Sequence, residues 1–265
     1  MASSKIVLVT GGNNGLGYET VKALLESDKP YHVLLGSRSL EKGKAAIETL
    51  HKECPASAST VDAILLDLTS DESIERAFAQ IEGTHRRLDT LVNNAGATFD
   101  IEHVAGKVSL RECFMKSYDV NLAGTHVLTY TLVPLLLKSA DPRIIFVTGL
   151  SNLTKASEKY FPTPPQPAGW PKKILPFETI GYRCSKVALN MLMLDWNHKL
   201  KADGVKVWAL GPGVLLTGLG NIPDIVAKMG AGPASIGGQL IRTVVEGERD
   251  ADVGKIVGKD GLIPF

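Results

Sequence analysis

Tyr182 and Lys186 stand four residues apart in Tyr182-Arg183-Cys184-Ser185-Lys186, inside a segment whose pattern predicts one long helix from about Ile180 to Ala202. Residues at that spacing lie one above the other on one helix face, so the phenol and the ammonium can point into one space. A phenol of ordinary pKa about 10 is a sluggish acid or base at neutral pH, and a neighbouring cation that favours the phenolate brings it into range. The pair is therefore a candidate acid–base unit. Spacing alone decides little, since a Tyr and a Lys one turn apart also arise by chance on structural helices, so the surrounding elements must supply a site.

The chain has 265 residues, which fits one large α/β domain with a sizeable core. Apolar residues at 44%, charged residues at 22% and a net charge of +1 describe an ordinary globular protein with no bias toward nucleic acid. Cys54, Cys113 and Cys184 are odd in number and far apart, which suits reduced thiols better than a disulfide framework. His126 and His198 lack partners at zinc spacing, so no metal site is expected. The first residues lead directly into an apolar strand without a secretory pattern, no run of eighteen apolar residues spans a membrane, and the C-terminal residues carry no retention or peroxisomal signal. A cytoplasmic location is the expectation.

Ile6-Val7-Leu8-Val9 is an unbroken apolar run of the kind a strand covered on both faces requires. It ends in Thr10-Gly11-Gly12-Asn13-Asn14-Gly15-Leu16-Gly17, after which a helical pattern begins. Glycines at 11, 15 and 17 let the backbone turn, let a pyrophosphate approach the main chain and let the helix pack on the strand, while the helix N-terminus offers N–H donors. A second strand, His32 to Leu35, ends in Gly36-Ser37-Arg38. Glycine stands where an acidic residue would grip an adenosine ribose, and Arg38 can instead bind a 2′-phosphate, so NADPH/NADP+ is the expected cofactor.

A third strand, Ala63 to Leu66, leads to Asp67-Leu68 and to a helix opening Thr69-Ser70-Asp71-Glu72 with capping-box spacing. Asp67 can bond the adenine edge or simply serve the turn. A fourth strand, Thr90 to Val92, runs into Asn93-Asn94-Ala95-Gly96, a small-residue turn that lets a ribose lie against the backbone. Helical patterns follow over 109–120 and 121–137, with Asn121 a buried amide in need of partners. A fifth strand, Ile144 to Val147, exits through Thr148-Gly149-Leu150-Ser151-Asn152.

Residues 155–179 are proline-rich and aromatic without regular period, an insertion suited to a lid or a substrate wall. A sixth strand, Lys206 to Leu210, ends in Gly211-Pro212-Gly213-Val214-Leu215-Leu216-Thr217, and the Gly- and Pro-punctuated 218–233 reads as a substrate lid. A final helix and a last strand near Ile256 follow. The repeated strand–helix alternation predicts α/β architecture: a Rossmann-type doubly wound parallel sheet of about seven strands, helices on both faces, in a single domain over 1–265.

These residues together resemble the short-chain dehydrogenase/reductase family over essentially the whole chain. The resemblance is carried by TGGNNGLG at Thr10 to Gly17, NNAG at Asn93 to Gly96, Asn121, YRCSK at Tyr182 to Lys186 and GPGVLLT at Gly211 to Thr217. Within that family the chain looks similar to fungal NADPH-dependent carbonyl and ketone reductases. The resemblance implies that Tyr182 gives a proton to a carbonyl oxygen as the nicotinamide delivers hydride to the carbon. It further implies that Lys186 tunes the tyrosine and bonds the nicotinamide ribose, that Asn121 holds a water, and that Val214 and Thr217 fix the carboxamide. Cofactor contacts are expected from Gly11, Asn13, Asn14, Gly15, Leu16, Gly17, Arg38, Asp67, Leu68, Asn93, Ala95, Gly96, Pro212 and Gly213.

The family places a serine after the fifth strand to bond the substrate carbonyl, and an ungapped count puts Gly149 there. Ser151 or Thr148 would then supply the hydroxyl, with Ser151 favoured, to stabilise charge on the carbonyl oxygen. The implied activity is reduction of a ketone or aldehyde on a fairly apolar small molecule, or the reverse alcohol oxidation. The alternative is an NADP-binding sensor or scaffold that has lost catalysis. A homodimer and a monomer are both open, because the insertion can cover the helices through which relatives pair; substrate identity and stereochemistry are beyond the sequence.

Overall fold

The structure is a computed structural model that describes residues 4–149, 153–160, 164–173, 175 and 179–265. Its main elements are β1 (Lys5–Thr10), α1 (Gly15–Leu25), β2 (Tyr31–Ser37), α2 (Leu40–Glu53), β3 (Thr60–Leu65), α3 (Asp71–His85) and β4 (Thr90–Asn93). Then come α4 (Asp100–Val104), α5 (Leu110–Tyr118), α6 (Thr125–Leu136), β5 (Arg143–Val147), α7 (Leu153–Glu158) and α8 (Ile180–Leu200). β6 (Lys206–Gly211), β7 (Leu215–Leu216), α9 (Pro223–Lys228), β8 (Gly232–Pro233), α10 (Ala234–Val245), β9 (Ile256–Gly258) and β10 (Gly261–Ile263) complete the chain.

Among the described residues eight strands form the main sheet in the order β10-β9-β6-β5-β4-β1-β2-β3, one more than expected. The addition is β10, which turns back antiparallel on β9 while every other pairing in that sheet is parallel. Strand order reverses direction at β1, whose neighbours are β2 and β4, and ligands of open α/β sheets bind in the crevice that such a reversal leaves at the strands' carboxyl ends.

The unbroken apolar strands follow from the two-residue side-chain period with both faces covered. In β1, Ile6 and Leu8 face a core completed by α3, α6 and α8 through Ile74, Leu132 and Met193. Val7 and Val9 face a second core completed by α1, α2 and α10 through Leu24, Leu50 and Ile241. Among the described residues no helix is long and apolar enough to cross a membrane.

Three local expectations shift. The Thr69–Glu72 box is displaced by one residue: Ser70 caps α3 by accepting from the Ser73 N–H at 3.2 Å. A reciprocal box forms instead at α5, between Ser109 and Glu112. The helices expected over 109–120 and 121–137 are one continuous rod with a π-helical turn at Asp119–Gly124. The segment 155–179, read as lacking regular structure, overlaps the short helix α7.

At the amino ends of the strands, Arg143 is 3% exposed and donates to Asp141, Asp250 and the Val244 carbonyl. Lys5 and Lys206 also reach Asp141, at 2.8 and 3.0 Å. Burial opposes ionisation of Asp141, but bonds from Lys5, Lys206 and Arg143 outweigh it and hold the carboxyl well below the usual carboxylate range. A group so depressed lends stability above its unfolded pKa of about 4 and loses it as pH falls further. Asp141→Asn is therefore expected to melt below wild type at pH 7, with the gap shrinking steadily below pH 4. Thermal melts at pH 7 and pH 3 check this, and a gap unchanged by pH refutes it.

Candidate active site

The turns after β1 and β4 are locked together by one threonine. Thr10 Oγ1 accepts from the Asn94 and Ala95 N–H groups at 2.9 and 2.8 Å, and the Asn94 amide returns a bond to the Thr10 carbonyl at 2.8 Å. Gly17 permits the next approach, because a Cβ there would stand 2.2 Å from the Gly11 carbonyl oxygen. α1 then opens at Gly15, and its N-cap Asn14 makes no side-chain cap bond. Its first N–H groups thus remain for an anion.

Beside this turn, β2 ends and Ser39 caps α2 by accepting from the Lys42 N–H at 3.2 Å. Arg38, Ser39 and Lys42 border the same cavity, so two cations and a helix start converge where a phosphate would sit. Asp67 also borders it, while its Oδ1 accepts from the Thr69 N–H and hydroxyl at 3.0 and 2.8 Å, the turn chemistry of its alternative reading. The cavity has a volume of about 950 Å³ and continues past Gly96 and Val214 to Tyr182 and Lys186.

At that end Tyr182 lines the cavity from the first turn of α8, half-buried. Lys186 is 2% exposed, donates to the Val147 carbonyl at 2.8 Å and lies 5.7 Å from the Tyr182 ring centre. Burial pushes the phenol up to about 12 and the ammonium down to about 8. The expected lowering of the tyrosine by its lysine is not what this geometry yields. Burial disfavours the charged form of both groups, and the ammonium is turned toward a backbone carbonyl.

The expected residues do not all meet. Asn93 lies behind the cavity, donating to Thr129 Oγ1 at 3.1 Å, and its neighbour Asn94 faces the cavity instead. Asn121 is fully buried: its amide donates to the Ala97 carbonyl and to Ser185 Oγ at 2.8 and 2.9 Å, and its oxygen accepts from the Ala97 N–H at 2.8 Å. The Thr148 hydroxyl donates to the Leu210 carbonyl at 3.3 Å. Ser151 lies outside the described residues. Gly149 has φ +102°, and a Cβ built on it would stand 3.7 Å from the Tyr182 hydroxyl.

Gly11, Asn13 to Gly17, Arg38, Asp67, Leu68, Ala95, Gly96, Pro212 to Val214 and Thr217 all border the cavity. Within 155–179, Thr179 is the only described residue that does so, and Trp170 is 87% exposed rather than part of a wall. Gly218 to Gly220, Ile222 and Val226 contribute an apolar side. Lys42 and Arg183 also border the cavity, outside the motifs; the sequence signal for Lys42 is a cation one turn beyond Arg38 at a helix start. Arg183 has its guanidinium 4.5 Å from the Tyr160 ring centre.

A doubly wound sheet with a glycine turn at its switch point and a Tyr–Lys pair in the same cavity defines an α/β oxidoreductase. The chain belongs to the short-chain dehydrogenase/reductase family, enzymes that act on carbonyl and hydroxyl groups with nicotinamide cofactors; the family model for short chain dehydrogenase matches residues 5–159. It is 48% identical over 270 residues to the short-chain dehydrogenase/reductase tropE of Talaromyces stipitatus, covering 100% of this chain and 99% of that one. It is 42% identical over 255 residues to the short-chain dehydrogenase/reductase eupG of a Phoma species, covering 92% and 91%. In fold it matches NADPH-bound carbonyl reductase from chicken fatty liver, with TM-score 0.76, 22% identity and all of both chains covered. It also matches 3-oxoacyl-[acyl-carrier protein] reductase from Brucella melitensis in complex with NAD, with TM-score 0.75, 20% identity and 98% and 96% covered.

Proposed function

We propose that the protein is an NADPH-dependent reductase of a ketone or aldehyde on a fairly apolar metabolite, with Tyr182 as proton donor. The observation that carries this reading is that one cavity joins the glycine turn and the Arg38–Lys42 cations to Tyr182 and Lys186. Bound NADPH supplies the hydride. The start of α1 and the turn 11–17 would hold its pyrophosphate, Arg38 and Lys42 its 2′-phosphate, and Val214 and Thr217 its carboxamide.

Tyr182, held near pKa 12, stays protonated across the neutral range, the state needed to give a proton to a carbonyl oxygen as it gains negative charge. Lys186, held near 8, keeps most of its charge at pH 7 and places it beside the phenol, where it steadies the phenolate left behind. Leu219, Ile222 and Val226 give the substrate end an apolar flank, and their segment, 218–233, serves as a lid that excludes water.

Gly149 favours a second reading, a nucleotide-binding sensor without turnover, because glycine at that position brings no hydroxyl of its own to bond a carbonyl. Absorbance at 340 nm with NADPH and a panel of ketones and aldehydes decides between them: turnover supports the reductase, and tight NADPH binding with no turnover supports the sensor. In the same assay Arg38→Ala is expected to raise KM for NADPH by about 10- to 100-fold, the loss of charge-assisted bonds worth roughly 1.5–3 kcal/mol, and to leave KM for NADH nearly unchanged. Equal losses for both cofactors would count against the 2′-phosphate role.

A further inference from the structure

We infer that Asp100 is a positioning residue for Tyr182, a carboxylate that clamps the first turn of the helix presenting the phenol. This inference rests on the reductase reading above. α8 begins at Ile180, and its N-cap, Thr179, makes no side-chain cap bond. Tyr182 is the third residue of that helix, within the turn where N–H groups have no partner inside the helix. Asp100, 81 residues earlier than Gly181, provides the partner from across the fold.

Its two oxygens divide the work. Oδ1 accepts from the Gly181 N–H at 2.7 Å, and Oδ2 accepts from the Tyr182 N–H at 2.9 Å and from the Thr98 hydroxyl at 2.9 Å. The side chain is 3% exposed, so the bonds form out of water, at the positive end of a 21-residue helix. Space is fitted to it: a Cβ at residue 181 would stand 3.1 Å from both Asp100 Oδ1 and Cys113 Sγ. Burial and the adjoining carboxylate push the Cys113 thiol up to about 11, so it stays protonated beside Asp100.

A second fastening holds the same two segments further along. Asn121 bonds both the N–H and the carbonyl of Ala97 and donates to Ser185 Oγ, which donates to the Tyr182 carbonyl at 2.7 Å. Residues 97–100 therefore grip α8 at Ser185 through Asn121 and at Gly181 and Tyr182 through Asp100. Lys186 is fixed independently by Val147. Loss of Asp100 frees the first turn alone, and with it the phenol, while the cofactor turn and the lysine keep their bonds. Misplacement of a reacting group by about 1 Å can cost about 100-fold in rate, which sets the scale of the effect.

The test compares Asp100→Ala, Asp100→Asn and Tyr182→Phe in the full chain. Turnover is followed with NADPH and cyclohexanone, benzaldehyde, 2-naphthaldehyde and an aromatic ortho-quinone as probes, NADPH binding by fluorescence, and amide exchange by mass spectrometry. Asp100→Ala should lower kcat by about 10- to 100-fold with NADPH Kd unchanged within about two-fold. Amides at 180–182 should exchange faster while 189–200 hold. Asp100→Asn, near-isosteric and the fallback should alanine not fold, keeps one acceptor and should fall between. A kcat within two-fold of wild type in the variants overturns the inference, and so does faster exchange along all of α8, the mark of a merely structural residue. Normal turnover by Tyr182→Phe, or no turnover of any probe by wild type, fails the reductase reading instead. Asp100 is then judged by exchange, and unchanged protection at 180–182 overturns it.

Discussion

Tyr182→Phe is expected to lower carbonyl-dependent NADPH oxidation by about 100- to 10,000-fold, the usual weight of a positioned proton donor. The substitution removes one oxygen and leaves the ring. The backbone bond from the Tyr182 N–H to Asp100 does not depend on the side chain, so the start of α8 stays in place. Lys186 keeps its bond to the Val147 carbonyl, and the turn of Thr10 to Gly17 lies at the other end of the cavity. NADPH should therefore bind with Kd close to wild type, and the melting temperature should barely move. With kcat lowered and Kd retained, the lost group is one used in the reaction rather than in cofactor binding. Stopped-time absorbance at 340 nm and fluorescence titration read the two quantities separately. Retention of more than a tenth of wild-type kcat would assign the proton to another donor.

The frame around that phenol was legible because it rests on local signals. Apolar runs without alternation announced strands covered on both faces, and glycines at a strand-to-helix turn announced close approach of backbone. β10 leaves no such signal, because Gly261–Ile263 is three residues long and antiparallel, with neither length nor periodicity to mark it. Asn93 and Asn94 are adjacent residues that face opposite sides of a strand end, and the motif that contains both does not say which one faces the cavity. The sequence marks Asn121 as a buried amide in need of partners, yet those partners are Ala97 and Ser185, brought close only by folding. Asp100 carries no sequence signal at all, since its bonds span 81 and 82 residues. The protonation of the Tyr–Lys pair lies beyond the sequence for a related reason. Spacing shows that a cation adjoins a phenol, but the balance between that charge and loss of water is set by burial in three dimensions.

That balance makes Lys186 a group the fold carries at a cost. Its ammonium donates to a carbonyl dipole, that of Val147, rather than to a carboxylate, and burial holds its pKa near 8 against an ordinary 10.5. A lysine whose folded pKa is depressed binds fewer protons folded than unfolded between those values, so stability rises as pH climbs from about 8 to 10.5. At pH 7 both states are protonated, and the folded one bears the full cost of keeping the charge, about 3 kcal/mol. Lys186→Met retains an unbranched side chain of similar length and removes the charge, though it leaves the Val147 carbonyl without its donor, which returns about 1–2 kcal/mol of the gain. The cofactor-free variant is accordingly expected to be more stable than wild type by about 1–2 kcal/mol at pH 7, a rise of several degrees in Tm, with the difference closing by pH 10. Its turnover should fall by at least about 100-fold, because the phenolate left by proton transfer loses its neighbouring cation. Melts at pH 7 and pH 10 beside the 340 nm assay measure both. A variant less stable than wild type at pH 7 would mean that the bond to Val147 outweighs desolvation. A stabilised but inactive variant would show a charge kept in the core for chemistry at the expense of the fold.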